Sequence, residues 1–131
     1  MIIERFAGRA PWEDRYGYCR VVRAGRWVGT AGTTATGPDG VLHPGDPYRQ
    51  TLAAFTIALD ALRQAGVAPA QVVRTRMYVV DITQQELIGA AHRELFGSIR
   101  PVATMVQVSA LADVGHLIEV EVEAYLQDSA T

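Results

Sequence analysis

Apolar and polar residues alternate most cleanly near the end of the chain. From Leu117 to Leu126, Ile118, Val120, Val122, Ala124 and Leu126 share one side, and Glu119, Glu121, Glu123 and Tyr125 the other. That is the pattern of a strand with one face buried. Val72 to Val80 reads VVRTRMYVV and predicts another strand. Val73, Thr75, Met77 and Val79 fall on one of its faces, and Val72, Arg74, Arg76, Tyr78 and Val80 on the other. Thr104 to Ser109 gives a third strand. Tyr18 to Ala24 and Trp27 to Ala31 flank Gly25-Arg26 and predict a hairpin, and Ile2 to Phe6 offers one strand more.

Two segments switch to helical spacing. Leu52, Phe55, Leu59 and Leu62 recur at intervals of 3, 4 and 3 residues and so share a helix face. Asp46 is a natural N-cap, Pro47 suits the first helical position and Gly66 a stop, which predicts a helix from Pro47 to Ala65. The second helix starts at Thr83, where Thr83-Gln84-Gln85-Glu86 fits a capping box. Leu87, Ala91 and Leu95 form its stripe and Gly97 ends it. Gly37 to Pro47, dense in Gly, Pro and Asp, reads as a loop and not a strand.

The order β-β-α-β-α-β-β places both helices on one side of the sheet through right-handed crossovers. The expectation is a single α+β domain over residues 1–131, a two-layer sandwich with a mixed sheet. Two helices cover only one sheet face. The other carries Arg74, Arg76, Tyr78, Glu119, Glu121 and Glu123, and is either solvated or a subunit interface with polar clefts.

Composition narrows the choice. A chain of 131 residues with 49% hydrophobic and 20% charged residues is sized and composed for one globular domain. No apolar run approaches the roughly 20 residues of a membrane helix, and Met1 to Ala10 lacks a secretory apolar segment. The expectation is a cytoplasmic protein without membrane contact. Twelve Arg, no Lys and a net charge of −2 make a poor phosphate-backbone binder, so no nucleic-acid partner is expected.

Motifs for chemistry are sparse. Cys19 is the only cysteine, and a lone cysteine is more often inert and buried. His43, His92 and His116 are too widely spaced for a metal site and read as surface residues. Gly29-Thr30-Ala31-Gly32-Thr33 ends a strand in small residues that permit close approach by a ligand or strand. No nucleophile elbow or phosphate loop is present. Pattern alone names no reaction.

Several stretches, in order and over nearly the whole chain, resemble the YjgF/RidA family of reactive-intermediate deaminases. Gly17-Tyr18-Cys19 is similar to its Pro-Tyr-Ser segment, and Ala31-Gly32-Thr33 to its Ser-Gly-Gln. Gln50-Thr51 matches the start of its first helix, and Val72-Val73-Arg74-Thr75 its Val-Val-Lys-Thr strand. Leu117-Ile118-Glu119-Val120-Glu121 resembles its closing Leu-Val-Glu-Ile-Glu. The resemblance implies a chorismate-mutase-like fold, a homotrimer and a small-molecule cleft between each pair of subunits. It further implies cofactor-free hydrolysis of enamines and imines, with an Arg holding the substrate carboxylate and a Glu positioning water.

One departure bears on that function. The family's Pro-Ala-Arg-Ser segment here reads Pro101-Val102-Ala103-Thr104, so Ala103 stands in the Arg position, as in the family's Arg-lacking subgroups. Ala cannot make the bidentate carboxylate contact of an Arg. Arg100, Arg74, Arg76 and Arg20 are the candidate substitutes. On the resemblance, Glu121 is the water-positioning residue, and Tyr18, Thr30, Thr33, Thr104, Ala103 and Arg100 line the substrate site. Three readings follow: an enamine/imine deaminase-type hydrolase with an altered substrate, a non-catalytic binder or sensor using the same cleft, and, disfavoured by charge, an endoribonuclease or translation inhibitor.

Overall fold

The computed structural model describes residues 1–127. Its elements, in chain order, are β1 (Ile3–Phe6), α1 (Pro11–Tyr16), β2 (Val21–Ala24), β3 (Trp27–Thr30), β4 (Thr33–Thr34), β5 (Thr36–Gly37), β6 (Gly40–Val41), α2 (Pro47–Gln64), β7 (Val72–Val79), α3 (Gln85–Phe96), β8 (Val102–Gln107) and β9 (Ile118–Tyr125). One sheet of seven strands runs β1-β2-β3-β9-β7-β8, with β4 continuing beside β9. Only β7 and β8 are parallel, joined through α3, so the fold is the expected mixed α+β two-layer sandwich.

The core lies between the sheet and α2 with α3. From α2 come Ala54, Phe55, Ala58 and Leu62, from α3 Ile88 and Phe96, and from the sheet Val28, Met77, Val79, Ile118, Val120 and Val122. Phe55 packs edge-on against Phe96 with ring centroids 5.1 Å apart. Asp46 caps α2 as expected, accepting from the Arg49 amide at 2.9 Å, and Gly66 takes the left-handed backbone (φ +87°) that stops it.

Four local expectations are corrected. A third helix, α1, precedes the first hairpin, and β2 begins only at Val21, which leaves Tyr18 and Cys19 in the connection before it. The Gly37 to Pro47 loop contains all of a small hairpin, β5 with β6, except Thr36. A register irregularity between Val72 and Arg74 turns Val73 outward and Val72 inward, the opposite of the simple alternation. Finally, Asp81, not Thr83, caps the start of the second helical segment: its carboxylate accepts from the Thr83 amide and hydroxyl. A 3₁₀ turn at Ile82–Gln84 then shifts the buried stripe to Ile88, Ala91 and Phe96 and leaves Leu87 exposed.

Candidate functional site

The sheet face away from the helices is amphipathic. Register places Arg74, Arg76 and Tyr78 of β7 between β9, with Glu119, Glu121 and Glu123, and β8, with Val102, Thr104 and Val106. The pairing is diagonal. Arg76 Nη1 donates to Glu123 Oε1 at 2.5 Å, and the Tyr78 hydroxyl donates to the Glu121 carboxylate. Arg76, helped by an indole hydrogen bond from Trp27, holds the Glu123 carboxyl below the usual carboxylate range. Glu121 in turn raises the Tyr78 hydroxyl. Val102 and Val106 are exposed on the same face.

Glu119, the last member of this row, has a different setting. Burial pushes its carboxyl above the usual carboxylate range, and the charge of Glu121 adds to this, while His116 and Arg20 pull it down. It fits where it does because position 32 has no side chain: a Cβ on Gly32 would stand 2.0 Å from Glu119 Oε2. The chain jogs here. Gly29 pairs with Glu123 but Thr33 pairs with Val120, so β3 and β4 use one residue more than β9 does. Thr30 bridges the jog, its hydroxyl accepting from the Val122 amide at 3.1 Å.

Arg20 fixes the other side of the jog. Its Nη1 donates to the Gly32 carbonyl at 2.6 Å and to Thr33 Oγ1 at 3.2 Å, and its Nη2 lies 3.5 Å from Glu13. Glu13 is itself buried and accepts from the Gly8 amide at 2.8 Å. Arg20 also lies over the Tyr18 ring, 5.7 Å from its centroid. Next to this clamp is an open hollow of about 650 Å³, lined by Arg5, Asp14, Tyr18, Cys19, Trp27 and Thr30, with Ala31 beside Gly32. Hydroxyls of Thr34 and Thr36 (2.8 Å) and the His116 ring (2.9 Å from Thr36) form a short chain near the cross-strand partner of Glu119.

The expected site residues therefore separate. Tyr18 and Thr30 meet in the hollow, although the Thr30 hydroxyl is already engaged by β9. Thr33 is buried and bonded to Arg20. Glu121 and Thr104 lie on the bare sheet face, Glu121 bonded to Tyr78. Ala103 pairs with Thr75, whose buried hydroxyl meets His92, so Ala103 leaves β8 on the side of the helices. Arg100 turns away: with φ +59° it folds back so that Nε donates to the Gly97 carbonyl. The expectation of surface histidines fails at His92 and His116, one half-buried among Phe55, Phe96 and Thr75, the other buried against Thr36. Among the described residues, no three His, Cys, Asp or Glu come together as a metal site. Sequence reasoning missed the setting of Glu119, although the alternation had placed it on this face. It also missed Arg5 and Trp27 as lining residues.

A mixed sheet with two long helices on one face, and a small-residue jog holding a carboxylate on the other, defines a class of small α+β proteins. Residues 9–126 match the Endoribonuclease L-PSP family, and the chain belongs to this YjgF/RidA family. It is 42% identical over 123 residues to the uncharacterised protein SCO2049 of Streptomyces coelicolor, covering 94% of this chain and 92% of that one. It is 30% identical over 110 residues to a RutC family protein of Pyrococcus abyssi, covering 82% and 85%. Among solved structures it resembles Rv2704 of Mycobacterium tuberculosis, a YjgF/YER057c/UK114 family member, with TM-score 0.87 and 41% identity over 95% of this chain and 100% of that one. Escherichia coli TdcF with bound serine shares the fold, with TM-score 0.79 and 21% identity over 97% and 99%.

Proposed function

We propose that the chain assembles as a homotrimer and uses the region around Tyr18, Gly32 and Glu119 as a small-molecule cleft for cofactor-free hydrolysis of an enamine or imine. The observation that carries this reading is the Glu119 carboxyl, which has no hydrogen-bond partner among the described residues, is half-buried against Gly32 and has a raised pKa. Such a carboxylate is a better base toward water than Glu121, whose charge is already spent on Tyr78. The role first assigned to Glu121 is therefore moved to Glu119. The exposed apolar residues Val102, Val106 and Tyr125 on the bare face support its burial against further copies.

The step is simple. Glu119 takes a proton from water as its oxygen adds to the C=N carbon, giving a carbinolamine. That proton passes to nitrogen and completes the carbinolamine; its hydroxyl proton then returns to Glu119 and on to the amine as the C–N bond breaks, so that ammonia leaves and a carbonyl remains. Tyr18 borders the substrate, and Thr104 lies beside Arg76 on the facing strand. The test is ammonia release from imino acids generated in situ by an amino-acid oxidase. Wild-type turnover that Glu119→Gln abolishes and Glu121→Gln largely keeps supports the assignment, while loss in Glu121→Gln alone overturns it. A second reading is favoured by Ala103, which removes the family's carboxylate anchor: the same cleft binds a metabolite without turning it over. Saturable binding with no product from any imine offered would select that reading.

A further inference from the structure

His116 is buried and held from the core. Gln50 of α2, itself fully buried, donates to the Gly115 carbonyl at 3.0 Å and accepts from the Leu117 amide at 2.8 Å. One side chain thus pins the backbone on both sides of His116. The His116 amide donates to the Asp113 carbonyl at 3.2 Å, and the Asp113 carboxylate accepts from the Gly115 amide at 3.1 Å. Gly115 also lies against the small hairpin, where a Cβ would stand 3.0 Å from Val41 Cγ2. A buried polar ring needs a partner, and this one meets Thr36 of the same hairpin: Nε2 lies 2.9 Å from Oγ1.

The contact continues toward Glu119. Thr36 Oγ1 lies 2.8 Å from Thr34 Oγ1, and Thr34 is the cross-strand partner of Glu119. Directly opposed residues project to the same face with Cβ atoms about 5 Å apart. Each hydroxyl has one proton to give, so the two threonines do not orient independently. When Nε2 carries a proton it donates to Thr36, Thr36 donates to Thr34, and the Thr34 proton is left for the side of Glu119. When Nε2 is bare, Thr36 donates to it, Thr34 donates to Thr36, and only lone pairs face Glu119. The other charges acting on Glu119 are Glu121 and Arg20. Around His116 stand Glu119 and Asp113, with His43 bonded through its carbonyl to the same Gln50 amide at 3.4 Å. Among the described residues, His116 alone of these groups is joined to the threonine hydroxyls.

We propose that His116 is a positioning residue for Glu119: through Thr36 it turns the Thr34 hydroxyl toward the carboxylate as a donor. The proposal rests on the reading of Glu119 as the base, and it adds a group that favours the charged form of that base. It also gives the small hairpin a task, since β5 carries the middle hydroxyl of the chain.

The test is the titration of the Glu119 carboxyl, followed by carbon NMR on the full chain with labelled glutamate. Loss of one resonance in Glu119→Gln identifies the signal. Thr36→Val removes the middle hydroxyl at an exposed position, keeps the shape and leaves the His116 ring in place. It should raise the Glu119 midpoint by about half a pH unit or more, the scale of a hydrogen bond to a charged group. Thr36→Ser keeps the hydroxyl and should hold the wild-type midpoint. His116→Phe should raise the midpoint further, because the charge that pulls Glu119 down is lost as well. An unchanged or lowered midpoint in Thr36→Val, or an equal shift in Thr36→Ser, overturns the proposal, whatever either change does to stability. This readout needs no substrate. If the midpoint follows Thr36 and no imine is turned over, the hydrolase reading fails alone. If turnover needs Glu119 while Thr36→Val alters neither turnover nor midpoint, the positioning role fails alone.

Discussion

The Glu119 carboxyl fills the space in which a side chain at Gly32 would begin, 2.0 Å from Oε2 and 2.9 Å from Cδ to a Cβ built there. The constraint is one of volume, since Gly32 is not among the glycines with positive φ. A methyl group at this position must move Glu119, whose end is flexible and can swing. Gly32→Ala should therefore cost only about 1 kcal/mol of stability, the low end for an added methyl in a packed site. Its effect on imine turnover or ligand binding should be large. Urea unfolding and ammonia release on the same sample decide this: undiminished turnover would show that the position of Glu119 does not matter.

Glu119 also predicts a pH signature. Its carboxyl titrates above the ordinary value in the folded chain, first because of burial and then because of Glu121. The folded state therefore holds this proton more tightly than the unfolded state does. The stability it contributes is present below the ordinary value of 4.5 and is lost as pH rises through the raised one. Glu119→Gln removes that penalty. The variant should be more stable than wild type at pH 7, with the gap closing as pH falls toward 4.5. Thermal unfolding across this range reads it directly, and a gap that widened on acidification would contradict the assignment.

His92 behaves in the opposite sense. It lies between Phe55 and Phe96, bonded to Thr75 Oγ1 at 2.8 Å, and burial lowers its pKa below 6.5. The unfolded chain takes up this proton first. Stability should fall as pH drops through 6.5 toward the lower folded value, and His92→Gln should flatten that limb. Unfolding curves between neutral and mildly acid pH in both proteins supply the check. An unchanged acid limb would assign the loss to other groups.

These sites differ in how far the chain announces them. Alternation is a property of single strands, and it placed Glu119, Glu121 and Glu123 on one face correctly. It cannot choose among them, because the choice depends on which neighbours the sheet brings across. Tyr78 reaches Glu121 and Arg76 reaches Glu123 diagonally, while the jog after Gly29 leaves Glu119 to Gly32. The same limit explains Val73: the irregularity after Val72 reverses the faces, and no residue type there marks it. The six residues of α1 are too few to display a helical period, although Pro11 at its start and Gly17 (φ +80°) at its end were available signals. Leu87 misled because the 3₁₀ turn after Asp81 rotates the start of α3. The two-layer architecture survived all of these, since it rests on element order and on the long stripes of α2 and β9.

Ala103 gives a test of assembly and chemistry together. The residue is exposed on the edge strand β8, so Ala103→Arg should alter stability by no more than about 0.5 kcal/mol. In a cleft that keeps Glu119, a guanidinium added there should raise turnover of 2-imino acids about tenfold or more. Yet position 103 shares a face with Thr75, on the side of the sheet opposite Glu119 of the same chain. A gain in rate therefore has to come from the Glu119 of a neighbouring copy. Chains carrying both Ala103→Arg and Glu119→Gln should be inactive alone and should gain activity when refolded with wild-type chains. In each mixed trimer one cleft then pairs the new Arg of one chain with the intact Glu119 of another, and one pairs Ala103 with the substituted position 119. If the doubly substituted chains gain nothing from mixing while Ala103→Arg alone is active, the two groups act within one chain and the intersubunit cleft is wrong.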